Sequence, residues 1–144
     1  MRAIFPALAL FALAACQPAA QENPGQPASA VTPEPILSAA ALQGEYRLAG
    51  IDGQDPDLPE GVAVSITADA IGVPGACVLT GWRYRLEGGR PVAGEIAGPA
   101  CRRAVLPHEQ AIKAAFDSPD RVTRTPANGI LIEGGGRSIT LFSQ

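Results

Sequence analysis

The sequence predicts a mainly β domain of the α+β class, in which a small antiparallel sheet of barrel-like form carries one short helix. Two observations lead to this prediction. Apolar and polar residues alternate along most of the chain after residue 41, which is typical of half-buried strands. Only the segment after Pro107 has apolar residues at helical spacing. About six to eight short strands and one helix favour a sheet that is closed or nearly closed.

Residues 1–15 have the pattern of a secretory signal peptide. Arg2 precedes a largely apolar run over residues 3–15, which is too short for a spanning helix because about 20 apolar residues are needed to cross a bilayer. Residues 13–16, Leu-Ala-Ala-Cys, resemble the lipobox of bacterial lipoproteins. The resemblance implies cleavage before Cys16 and its lipidation with acyl chains such as palmitate. The alternative is an ordinary cleaved signal in which Cys16 has no role.

Lipidation at Cys16 implies lasting membrane anchorage, because two or more acyl chains hold a protein stably on a bilayer. Gln17 follows this cysteine, whereas enterobacterial sorting rules reserve inner-membrane retention for an acidic residue there. We therefore expect the periplasmic face of the outer membrane, with the inner membrane as the alternative. Residues 16–40 are expected to form a disordered linker rich in proline, alanine and glutamine, since such a segment buries little apolar area. The folded domain is expected at residues 41–144.

The strands are predicted where alternation is clearest, at residues 42–48, 62–67 and 78–87. Trp82 and Tyr84 share the apolar face of the third strand and are expected to point inward. Near the C-terminus, three glycines at residues 134–136 predict a turn between two further strands, at residues 129–133 and 137–142, because glycine adopts positive φ without steric cost.

The predicted helix of about ten residues begins at Pro107 and ends before Pro119, since proline suits a first helical turn and cannot continue a helix. Glu109 and Lys113 are predicted to form an i,i+4 ion pair on its surface. The helix is expected to pack on the sheet or to fill one end of it. Its apolar face carries Ile112, Ala115 and Phe116.

Cys77 and Cys101 remain once Cys16 is assigned to lipidation. Export would place them in an oxidising compartment, so a disulfide between them is predicted. The alternative is a cysteine nucleophile assisted by His108, the one histidine of the chain, but such a site needs a thiolate beside a base and the spacing does not indicate one.

No metal site or cofactor is expected. A site built on His108 lacks further ligands nearby in sequence. The acidic segment around two prolines has carboxylates that calcium could use, but its spacing is not that of an EF-hand loop and favours a solvated turn. Its acidic residues are Asp52, Asp55, Asp57 and Glu60.

Charge and motif content argue against nucleic-acid binding and against catalysis. The net charge is −3 and the 11 basic residues are scattered, whereas phosphate binding needs clustered cations. A Gly-x-Ser-x-Gly nucleophile elbow is also missing from the sequence. Glu45, Glu87 and Glu95 are conceivable acid–base groups, but they fall on polar strand faces and are expected to face solvent. The domain is therefore predicted to be non-enzymatic.

Residues 42–53 read Leu-Gln-Gly-Glu-Tyr-Arg-Leu-Ala-Gly-Ile-Asp-Gly. This segment resembles the opening of META domains, the HslJ-like family of envelope proteins. Gly75 and Cys77, with Tyr84 seven residues on, resemble its Gly-Cys-Asn strand, and residues 128–142 resemble its terminal hairpin. The resemblance implies a META-type envelope module without catalytic activity, associated with the envelope stress response.

Two other binding classes stay open. Periplasmic β-barrel inhibitors of metalloproteases share one disulfide and a Leu-x-Gly-x-aromatic start, but they insert a free N-terminal segment into the protease, which lipidation of Cys16 would block. A carrier of small ligands would need an internal cavity. The expected contacts are thus the membrane, through the lipid, and a protein or small ligand that the sequence does not identify.

Overall fold

The computed structural model describes residues 32–75, 77–79, 81–98 and 101–144. The predicted signal peptide at residues 1–15, Cys16, Gln17 and the linker up to residue 31 lie outside the described residues. Those that are described belong to one compact unit.

Nine strands of the described chain form one antiparallel sheet, with one α-helix and one 3₁₀ turn. The strand order is β1-β7-β8-β9-β2-β3-β4-β5-β6, so the predicted mainly β architecture with one short helix is confirmed. The elements are β1 (Glu34–Pro35), the 3₁₀ turn (Ala39–Leu42), β2 (Gly44–Ile51), β3 (Ala63–Ile66), β4 (Ala70–Gly72), β5 (Trp82–Glu87), β6 (Arg90–Glu95), α1 (Pro107–Asp117), β7 (Pro119–Arg124), β8 (Ile130–Gly134) and β9 (Arg137–Ser143).

The alternation read from the sequence determines which side chains fill the interior. Tyr46 and Leu48 of β2 are buried, whereas their neighbours along the strand are exposed. Trp82 and Tyr84 of β5 are buried as predicted. The strand itself begins at Trp82 rather than at residue 78. The backbone of the preceding Gly81 lies so close to the Ile71 carbonyl that a side chain would collide with it, although the Gly81 carbonyl still accepts a hydrogen bond from the Ile96 N–H at 2.9 Å.

The sheet curls into a barrel that is not closed, because β6 and β7 lie side by side without pairing. We call the line between these two strands the seam. Each strand carries a proline, Pro91 in β6 and Pro119 at the start of β7. Proline has no N–H to donate across a ladder, and it is tolerated mainly at sheet edges. The prolines thus help to keep the seam open.

One end of the barrel is covered by α1, which contacts β2, β6, β8 and β9. Ile112, Ala115 and Phe116 are fully buried, which confirms the predicted apolar face. The Phe116 ring lies 4.9 Å from that of Trp82, and Trp82 Nε1 donates a hydrogen bond of 2.7 Å to Asp117 Oδ1. The helix is therefore fixed to β5 by both an aromatic and a polar contact.

The other end is covered by residues 32–42, which we call the strap. The Ile36 N–H donates to the Val122 carbonyl of β7 at 3.1 Å, and the Ile36 side chain is buried. The Tyr46 hydroxyl donates to the Leu42 carbonyl at 2.7 Å. Arg124 Nη2 donates to the Ala41 carbonyl at 3.2 Å. Ordered structure thus extends upstream of residue 41, where the domain was expected to begin, because Ile36 supplies an apolar side chain to the core.

Large side chains fill the barrel interior, and those with almost no exposed surface include Trp82, Phe116, Leu79, Ile112, Ile130, Ile139, Leu141 and Val64. No helix among the described residues has both the length and the apolar character needed to cross a membrane.

Candidate functional site

The candidate site is an open groove of about 430 Å³ at the end of the barrel covered by α1. One wall is the loop of residues 58–63, and the second is the turn at residues 73–75. The start of α1 forms the third wall, with Leu106 and the polar side chains of Arg103, His108 and Glu109. We call this feature the groove.

Glu109 and Arg103 form a bidentate ion pair in the groove. The guanidinium meets the carboxylate through both of its terminal nitrogens, Nη1 to Oε2 at 2.7 Å and Nη2 to Oε1 at 2.5 Å. The Leu106 N–H also donates to Oε2 at 2.8 Å, which satisfies a backbone donor at the helix start. Only 4% of the Glu109 side chain is exposed, against 43% for Arg103.

This environment lowers the pKa of Glu109 from its ordinary value of 4.5 to about 2. The main cause is hydrogen bonding from Arg103, which outweighs the opposing effect of burial, and the Leu106 N–H adds to it. The same contact raises the pKa of Arg103. Near neutral pH the pair is a fixed anion and a fixed cation, so Glu109 has no proton to exchange.

The contacts of Glu109 differ from those the sequence predicted. Its expected partner, Lys113, instead binds Glu95 at 2.7 Å and Asp117 at 3.1 Å, so the predicted Glu109–Lys113 pair is wrong. Glu109 points inward to Arg103, which approaches from the chain before the helix. Burial lowers the pKa of Lys113, but the hydrogen bonds that its ammonium donates to Glu95 and Asp117 outweigh this effect and raise the pKa.

The groove combines apolar walls with one fixed cation. Its apolar lining includes Leu58, Val62, Val73 and Leu106, and Leu106 is 45% exposed. Because Glu109 holds Arg103 in one orientation, the exposed part of the guanidinium is preorganised to donate hydrogen bonds to a carbonyl or carboxylate oxygen. A ligand with a carbonyl or carboxylate group next to an apolar part would fit this chemistry.

The two predicted disulfide cysteines lie together beside the groove. Their Cα atoms are 5.5 Å apart, within the range that a disulfide requires, so the pair is compatible with one. Cys77 follows the wall at residues 73–75 and Cys101 precedes Arg103. A disulfide between the two cysteines would fix the distance between two walls of the groove. That the cysteines are oxidised stays a prediction.

The acidic segment considered for calcium is occupied by local contacts. Asp52 Oδ1 accepts a hydrogen bond from the Ser138 N–H at 2.9 Å, and Oδ2 binds Arg137 at 2.8 Å. Asp55 Oδ1 accepts from the Asp57 N–H at 3.0 Å, a typical Asx turn. Within the described ranges, no three His, Cys, Asp or Glu side chains are grouped so as to hold a metal ion.

The three conceivable acid–base groups lie apart on the outer surface. Glu45 accepts a hydrogen bond from Ser65 at 2.6 Å. Glu87 pairs with Arg85 on the same strand, and Glu95 pairs with Lys113. The structure does not gather Glu45, Glu87 and Glu95 into one cleft, and all three are exposed.

Comparisons with protein-family models, with curated proteins and with solved structures find no match for this chain.

Sequence reasoning overlooked the Arg103–Glu109 pair. One signal was available, because a glutamate three residues after the N-cap position often turns back to the helix start, and Glu109 stands three residues after Leu106. The identity of its cationic partner depends on how the chain after Cys101 folds back, which no local pattern reveals.

Proposed function

We propose that this chain is a lipid-anchored protein of the cell envelope whose β domain works by binding rather than by catalysis. The observation that carries the proposal is the N-terminal sequence, in which Leu-Ala-Ala-Cys at residues 13–16 closes a short apolar run. A lipidated Cys16 would hold the domain at a membrane, and Gln17 favours the outer one. The linker up to residue 31 would give the domain reach from the lipid surface.

The cysteine pair supports export. Disulfides persist in oxidising compartments and are rare in the cytosol. Cys77 and Cys101 are placed compatibly with a disulfide, which is what an exported domain of modest size would use to stabilise its fold.

A binding role is supported by how the polar groups of the groove are used. A general acid or base needs a pKa near the working pH, whereas the pKa of Glu109 is about 2. The carboxylate instead orients Arg103 between apolar walls, an arrangement suited to holding a ligand. The barrel interior is filled by side chains such as Trp82 and Phe116, which favours recognition at the surface over a carrier with an internal cavity.

The resemblance of residues 42–53 to META domains points to the envelope stress response as the biological setting. Protease inhibition through a free N-terminal segment is less favoured, since the strap is bound to β7 and to Tyr46.

Membrane anchorage is tested by changing Cys16 to Ser in the full chain and fractionating the cells. We expect the wild type in the outer membrane and the variant either unprocessed or released from it. Gln17→Asp serves as the matched variant, because it keeps the lipid and should move the protein to the inner membrane. Outer-membrane recovery of a processed Cys16→Ser variant would refute lipidation.

The binding role is tested by photocrosslinking in intact envelopes from two exposed leucine positions. Leu106 lines the groove and is 45% exposed, whereas Leu37 lies on the strap and is 70% exposed. A photoreactive residue at 106 should capture a distinct partner that the same residue at 37 does not. Equal capture at both positions would contradict recognition through the groove, and turnover of a substrate by purified protein would contradict the non-catalytic role.

A further inference from the structure

The turn between β7 and β8 contains a chemically labile pair of residues. Asn128 is exposed and is the only asparagine of the chain that glycine follows. It adopts a left-handed backbone conformation, with φ of 63°. Gly129, by contrast, is buried, and a side chain there would press on the Leu141 carbonyl and the Phe142 ring. A larger residue directly after the asparagine would thus crowd two groups of β9 for which glycine leaves room.

We propose that Asn128 is a site of spontaneous deamidation and that Thr125 controls its rate in the folded domain. The first step needs the Gly129 amide nitrogen to approach the side-chain carbonyl carbon of Asn128. Glycine, having no side chain, hinders this approach less than any other residue, and the exposed Asn128 side chain is open to water.

The reaction needs no reagent other than water. The Gly129 nitrogen loses its proton to solvent and bonds to Asn128 Cγ, and the side-chain nitrogen leaves as ammonia, which gives a cyclic imide. Water then adds to one of the two imide carbonyls and breaks its bond to nitrogen. The product is aspartate or isoaspartate, so one water is consumed and one ammonia is released.

Both reacting groups are hydrogen-bonded in the fold. The Gly129 N–H, whose nitrogen must attack, donates to Thr125 Oγ1 at 2.9 Å. Asn128 Oδ1 accepts from Arg124 Nη1, also at 2.9 Å. The Thr125 N–H in turn donates to the Gly129 carbonyl at 2.9 Å, so the amide nitrogen sits within a closed ring of contacts. Deamidation must await the loss of the Thr125 contact.

Deamidation would also affect the contacts of the strap, because Arg124 links Asn128 to the strap. Its second terminal nitrogen donates to the Ala41 carbonyl. An aspartate at 128 would give Arg124 a charged partner, whereas an isoaspartate would add a backbone atom and break the pairing of Thr125 with Gly129. The second product should loosen the strap end of the barrel.

The test incubates the full-length protein at mildly alkaline pH and measures the mass gain of the peptide containing residue 128. Thr125→Val removes the hydroxyl acceptor, and Thr125→Ser, the matched control, keeps it. We expect Thr125→Val to deamidate roughly 2- to 10-fold faster than wild type, the effect of losing one net hydrogen bond. Thr125→Ser should match the wild type, and Asn128→Gly, which suits the left-handed φ, should abolish the mass gain.

Each variant is also incubated in denaturant. There the wild type, Thr125→Val and Thr125→Ser should all deamidate at the same rate, and this rate should exceed that of the folded wild type. This comparison separates chemistry from folding, and the fluorescence of Trp82, the single tryptophan, reports whether each variant is folded. Equal rates for folded Thr125→Val, Thr125→Ser and wild type would overturn the control by Thr125. The absence of a mass gain in the unfolded wild type would overturn the site itself.

Discussion

Glu109 connects two parts of the chain through one carboxylate. It accepts hydrogen bonds from Arg103, before the helix, and from the Leu106 N–H at the helix start. A buried carboxylate without such partners would be strongly destabilising. With them, its folded-state pKa falls below the unfolded value, and this difference contributes to stability wherever the group is ionised.

We predict that Glu109→Gln destabilises the domain at neutral pH by about 1–3 kcal/mol, since a charge-assisted pair is replaced by weaker hydrogen bonds. The pKa of Glu109 is lowered from 4.5 to about 2. Its contribution is therefore complete above pH 4.5 and lost as the pH falls toward 2. Urea denaturation across this pH range should show wild-type stability falling more steeply than that of the variant.

Glu133→Gln is the matched control for Glu109→Gln. Glu133 also pairs with an arginine, Arg121, at 2.7 Å, but the Glu133 side chain is 32% exposed and that of Arg121 is 65% exposed. Such surface pairs contribute about 0–1 kcal/mol. If the two variants lose equal stability, the buried pair has no special role.

Thr123, unlike Glu109, has a buried polar group that lacks a hydrogen-bond partner among the described residues. Its side chain is buried on β7, and its hydroxyl has no hydrogen-bond partner. Valine has nearly the same shape and leaves no orphaned hydroxyl. We predict that Thr123→Val raises the unfolding free energy by roughly 1 kcal/mol, measured by thermal and urea denaturation. A destabilised variant would show that the hydroxyl has a partner such as an ordered water.

At the scale of elements, the attachment of α1 to the sheet depends on one aromatic contact. Phe116 is fully buried against Trp82. Phe116→Ala should cost about 3–5 kcal/mol, because the cavity would lie in the middle of the core. Phe142→Ala is the control, since Phe142 is 37% exposed and its loss should cost much less. Chemical denaturation followed by Trp82 fluorescence measures both, and similar costs would contradict the packing described.

The strands β2, β3, β5, β8 and β9 were predictable from sequence, whereas β1, β4, β6 and β7 were not. β6 and β7 have six residues each but no regular apolar–polar alternation. β2 and β5 show several apolar–polar alternations, so their buried faces follow from the pattern. β1 and β4 have two and three residues, too few to establish a period. β1 exists only because β7 offers it a free edge. The groove could not be predicted either, because its three walls come from distant parts of the chain and meet only in the folded domain.

For the whole molecule, the predicted disulfide is the main covalent constraint on the described fold. It would close a loop with a sequence separation of 24 and contribute about 3 kcal/mol in the chain-entropy model. We predict that alkylation of the denatured, unreduced protein modifies neither Cys77 nor Cys101, and that reductant lowers the melting temperature of the wild type. Alkylation of either cysteine, detected by mass spectrometry, would refute the disulfide.

The double variant Cys77→Ser with Cys101→Ser is the control for the reductant. Its melting temperature should be lower than that of the wild type and unaffected by reductant. A reductant effect that persists in this variant would show that the change in the wild type has another origin.

The position of β2 beside β9 has a consequence for when the domain can fold. These strands lie in the middle of the sheet, and Gln144 Nε2 donates to the Tyr46 carbonyl across a sequence separation of 98. The central ladder thus joins the two ends of the domain, and its loop-closure entropy must be overcome before the contact forms. A chain that emerges N-terminus first from an export channel presents β2 long before β9. On the export route proposed above, folding would wait until β9 has emerged, after the proposed lipid anchor has reached the membrane.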